Sequence, residues 1–87
     1  MKNYTVFIGG WEEGDEPDWV VMRVDNIPWN QAREILVRQL KLFADDDCDY
    51  CRGTALEDAA KLEAAITEGN FRTFVDGDDY LIIEYKP

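Results

Sequence analysis

The side chains able to do chemistry in this chain are almost all carboxylates. Nineteen Asp and Glu stand against nine Lys and Arg, giving a formal net charge of −10 over 87 residues. Histidine is absent, and so is serine. The usual general base and metal ligand near neutral pH is therefore missing, and neither a Ser-His-Asp nor a Cys-His arrangement can be assembled. Cys48 and Cys51 form a single CxxC. A structural zinc site would need two further ligands of the usual kind, and the flanking Asp46, Asp47 and Asp49 oppose thiolate formation. Two structural thiols are the expectation, with no cofactor.

Two other uses of carboxylates come to mind. Asp45, Asp47 and Asp49 follow the one, three, five spacing of a calcium loop. Position six of that loop would be Tyr50 where glycine is needed, and position twelve would be Leu56 where glutamate is needed, so no metal site is expected. A glycosidase-like carboxylate pair needs a concave site, and nothing in the pattern marks any one carboxylate as buried. The chain is read as non-enzymatic.

The elements that must position these groups follow from periodicity. Residues 3–9 alternate with β-branched and aromatic side chains and read as a strand, as do residues 19–25. Asn26 is a candidate N-cap, with Pro28 in the first turn of the helix it opens. Trp29, Ala32, Ile35, Leu36, Leu40 and Phe43 then repeat at helical spacing as far as Phe43 or Ala44, with Arg33, Arg38 and Lys41 on the wet side. Thr54 and Glu57 form a capping box for a second helix. Its expected buried stripe is Ala55, Leu56, Ala59, Leu62 and Ile66, and Gly69 is its expected C′ residue. Residues 71–75 and 80–85 read as strands joined through the turn Asp76–Asp79.

One domain spanning residues 1–87 is the expectation, because this length leaves no room for a second core. The order ββααββ predicts a two-layer α+β fold, an antiparallel four-stranded sheet with two antiparallel helices on one face. The expected core is Tyr4, Val6, Ile8, Val20, Met22, Ile35, Leu36, Leu40, Phe43, Leu56, Ala59, Leu62, Ile66, Phe74, Leu81 and Ile83.

Reversal of the chain at every connection brings both hairpin loops and the interhelix loop to one end. Glu12, Glu13, Asp15, Glu16 and Asp18 lie in the first loop, Asp45, Asp46, Asp47 and Asp49 in the second, and Asp76, Asp78 and Asp79 in the third, so twelve of the nineteen acidic residues share that end. Trp11 and Tyr50 add aromatic anchors, and these fourteen residues make up the expected partner-binding surface.

Such a charge excludes direct binding to nucleic acid or to an anionic membrane. It points to a basic partner surface, such as the groove of a nucleic-acid-binding protein or complex, with carboxylates standing in for phosphates. Small acidic viral inhibitors of restriction, CRISPR or other host nucleic-acid machinery share this size and charge. The alternative is an ordinary interaction or homodimerising domain that uses an apolar sheet or helix face; Trp19, Trp29 and the open sheet edges would serve it. With no leader pattern at the N-terminus and no long apolar run, a cytoplasmic location is expected, the host cytoplasm if the chain is viral.

Overall fold

The computed structural model describes residues 2–11, 17–44, 49–65, 68–75 and 77–86, with the backbone alone over 49–52. Its elements are β1 (Asn3–Gly10), β2 (Trp19–Pro28), α1 (Trp29–Ala44), α2 (Asp49–Glu63), β3 (Phe71–Val75) and β4 (Asp78–Glu84). The four strands form one antiparallel sheet in the order β2-β1-β4-β3, and both helices pack on one face of it. The two-layer ββααββ fold is therefore the observed one.

Alternation along the strands divides the sheet into two unequal faces. Tyr4, Val6 and Ile8 of β1 and Tyr80 and Ile82 of β4 point to the helices, where they meet Trp29, Ala32, Leu36 and Leu40 of α1 and Ala55, Ala59 and Leu62 of α2. The alanines of α2 let it approach closely. Phe7 and Leu81 belong to the opposite face, yet both are buried as well. β1 is thus covered on both sides, which suits an inner strand.

Several sequence expectations are corrected. Val20, Leu56 and Phe74, expected in the core, are exposed. β4 turns Tyr80 and Ile82 inward and Leu81 to the far face, the reverse of the expected parity. Ile66 lies outside the described residues. Arg33, expected on the wet side, is half-buried and donates through Nη1 to the carbonyl of Ala65 at 2.8 Å.

That bond helps explain why α2 ends at Glu63 and not near Gly69. The Ala65 N–H bonds back to the Leu62 carbonyl at 3.2 Å, tightening the last turn, while α1 takes the freed Ala65 carbonyl. At its other end α2 begins at Asp49, which leaves Thr54 inside the helix and overturns the capping box.

Asn26 is likewise no N-cap. β2 continues to Pro28, and Asn26 sits in a bulge with φ 61° where Asp25 and Asn26 together oppose Thr5. The Asn26 side chain accepts a hydrogen bond from Asn3 Nδ2 at 2.6 Å. The β3–β4 turn is tighter than expected. Val75 pairs with Asp78, so only Asp76 and Gly77 connect the strands, and Gly77 takes φ 87° as a two-residue Asp-Gly turn requires.

Candidate interaction surface

The ends of the elements show where the three connections lie. Gly10 pairs with Trp19 at the start of the first connection, and Gly9 pairs with Asp79 beside the β3–β4 turn. Phe43, one residue from the end of α1, stacks edge-on against Tyr80 near the start of β4, with ring centroids 6.5 Å apart. At the other end of β1, Tyr4 meets Trp29, the first residue of α1, at 5.4 Å. Both hairpin connections and the C-terminal end of α1 therefore share one end of the molecule.

Of the fourteen residues expected to form a partner surface, Trp11, Asp18, Asp78 and Asp79 have described side chains. Glu12, Glu13, Asp15, Glu16, Asp45, Asp46, Asp47 and Asp76 lie outside the described residues, and for Asp49 and Tyr50 only the helical backbone is given. Asp18 is exposed, and its N–H bonds to the Gly10 carbonyl at 2.8 Å. Asp78 is half-buried and accepts the indole N–H of Trp19 at 2.7 Å.

Asp79 is different. It is only 8% exposed, so it is not part of a displayed acidic surface. Its Oδ2 accepts the Trp11 N–H at 3.2 Å and its Oδ1 accepts Arg72 Nη2 at 3.1 Å. Arg72 also reaches the Trp11 carbonyl at 3.5 Å. This carboxylate ties the chain leaving β1 to both strands of the second hairpin. Trp11 is correspondingly engaged: its ring packs edge-on against Phe7 at 5.0 Å, and the Arg23 guanidinium lies 6.0 Å from its centroid. The indole closes the face of the sheet opposite the helices.

Near that cap, Thr5 donates its hydroxyl to Asp25 Oδ1 at 2.7 Å, and Arg23 Nε reaches the same oxygen at 3.1 Å. The Thr5 hydrogen bond, helped by Arg23, holds the Asp25 carboxyl below its ordinary value despite partial desolvation. Arg23 and Arg72 were not singled out from the sequence, and Phe74 was expected in the core. The position of Phe74 could have been read from strand alternation, since it stands one residue from the inward-facing Val75.

Four residues separate α1 from α2, too few for a twelve-residue calcium loop. Cys51 falls in the first turn of α2 instead of preceding it, and Cys48 lies outside the described residues. Among the described residues no group of three or more Cys, Asp or Glu side chains is placed to hold a metal ion. No described helix is long and apolar enough to cross a membrane.

A groove of about 580 Å³ runs along α1 past Arg33, Val37, Arg38 and Leu42. Its cations already have partners: Arg33 with the Ala65 carbonyl, Arg38 with Glu34 at 3.5 Å, and Lys41 with Glu63. Comparison with protein-family models, with curated proteins and with solved structures returns no match.

Proposed function

We propose that this protein is a non-enzymatic acidic binder whose hairpin end docks on the basic groove of a nucleic-acid-binding protein or complex and blocks it, as an inhibitor of host defence would. One observation carries the reading. The segments holding twelve of the nineteen acidic residues all leave from the same end of the fold. Like charges gathered in this way repel, and a cationic partner relieves that cost while gaining from electrostatic steering. Asp79 is excluded from the docking set because its carboxylate faces inward.

A second reading has its own support. Val20, Val21 and Phe74 are exposed on the two edge strands, and Phe74 is 64% accessible. An apolar module or a homodimer would use such residues.

Charge reversal separates the two. Lysine at Asp18 and across the acidic positions of 12–16 and 45–49 should abolish capture of the partner from host lysate and leave the melting temperature unchanged or raised. Binding should also fall steeply as salt rises. Normal capture by these variants, combined with loss on Phe74→Ser or Val21→Ser, would establish the apolar module in place of the acidic docking surface.

A further inference from the structure

We infer that the hairpin end selects arginine over lysine in its partner, with Trp19 as the residue that makes the distinction. The inference rests on the acidic-docking reading above and adds to it the chemistry of the recognised side chain.

Trp19 is the first residue of an edge strand and is 48% exposed, a large aromatic surface to leave in water. Its ring lies against Gly10: a Cβ built there would stand 2.4 Å from ring carbons Cε3 and Cζ3. Its edge is fixed too, since Nε1 donates to Asp78 Oδ1 at 2.7 Å. The indole is therefore a held plate with solvent access, a carboxylate at its rim and the exposed Asp18 next to it in the chain.

A fixed aromatic surface with a carboxylate at its rim suits a guanidinium. Arginine is planar, stacks on indole and offers paired N–H groups to a carboxylate, whereas lysine brings a compact, strongly hydrated point charge. The molecule already uses this combination internally, with the Arg23 guanidinium 6.0 Å from the Trp11 ring centroid and 3.1 Å from Asp25 Oδ1. At Trp19 the corresponding cation is one the partner would supply. Charge favours that occupant, because a chain of net −10 attracts a cationic segment and repels an anionic one.

The test is calorimetric titration of the full chain with nona-arginine and nona-lysine peptides at low and moderate salt. Nona-arginine should bind about five- to tenfold more tightly, the effect of a partly exposed cation–π contact. Trp19→Leu should bring the two peptides within about twofold while keeping the salt dependence. Trp19→Phe, which retains a ring but not the N–H to Asp78, should keep most of the preference. Equal affinities in the wild type would overturn the arginine inference and leave acidic docking standing. An undiminished preference in Trp19→Leu would overturn the role of Trp19. If neither peptide binds at low salt, acidic docking itself fails and the inference falls with it.

Discussion

Removing the Asp79 carboxylate should destabilise the fold, whereas loss of the exposed Asp18 charge should be neutral or helpful. The side chain is 11% exposed and accepts two hydrogen bonds, from the Trp11 N–H and from Arg72. Asp79→Ala leaves the partly buried Trp11 N–H without its acceptor, at a cost of about 1.5–3 kcal/mol for a bond to a charged group. The Arg72 contribution must be discounted, because that side chain is 59% exposed; such a pair is worth roughly 0.2–1 kcal/mol. Lowering the net charge from −10 returns a few tenths of a kcal/mol at most. The balance is a loss of about 2 kcal/mol, which for a domain of this size lowers Tm by roughly 10 °C. The assay is thermal denaturation followed by circular dichroism, with Asp18→Asn and Arg72→Ala alongside. Asp18→Asn should change stability by less than about 0.5 kcal/mol, and Arg72→Ala should fall between the other two. A melting temperature for Asp79→Ala within about 2 °C of wild type would refute the reasoning, as would an equal loss in Asp18→Asn.

Two further outcomes follow from local geometry. The Asp25 carboxyl is held low by the Thr5 hydroxyl, so the ionised form binds the fold more tightly and its contribution is present above the unfolded pKa near 3.8. That contribution is lost as pH falls through the lower folded value; Thr5→Val should therefore flatten the decline in urea-measured stability below about pH 4 and leave its shape unchanged near neutrality. Gly9 and Gly10 should differ in their tolerance of alanine. At Gly9, φ is 152° and a new Cβ would stand 2.3 Å from the Trp19 backbone carbonyl oxygen, whereas at Gly10 it would meet the Trp19 ring, a side chain that can be displaced at the cost of its hydrogen bond to Asp78. Gly9→Ala should cost at least about 2 kcal/mol. Gly10→Ala should cost less and quench the near-ultraviolet dichroism of the displaced indole, and the reverse order of stabilities would contradict this account.

What was legible in the sequence was the periodicity. Alternation in residues 3–9 and the helical spacing from Trp29 to Phe43 located β1 and α1, and reversal at each connection brought the ends of the flanking elements together. What was not legible depended on partners distant in the chain. Thr54 and Glu57 carry a sound local capping signal, yet α2 starts five residues earlier, at Asp49. Its end follows from Arg33 of the other helix, which no local pattern around Gly69 reveals. Burial on the far face was missed for the same reason. Phe7 reads as the solvent side of β1 until Trp11 folds back against it, and that cap depends on Asp79, 68 positions away in sequence. Within the acidic set, composition treats Asp18, Asp78 and Asp79 alike; their surroundings make one exposed, one the acceptor for an indole and one a buried tie.

That separation bears on how so much charge can sit at one end of a small fold. The stabilising burial lies elsewhere: Val6, Phe7, Leu36, Leu40, Leu62, Leu81 and Ile82 are the largest fully buried side chains, and they pack around β1 and β4 from both faces of the sheet. A strand buried on both sides fixes its own end, so Gly9 and Gly10 hold the hairpin end in place without help from the acidic side chains around them. Asp79 extends that fixed point outward by holding the Trp11 backbone against the second hairpin.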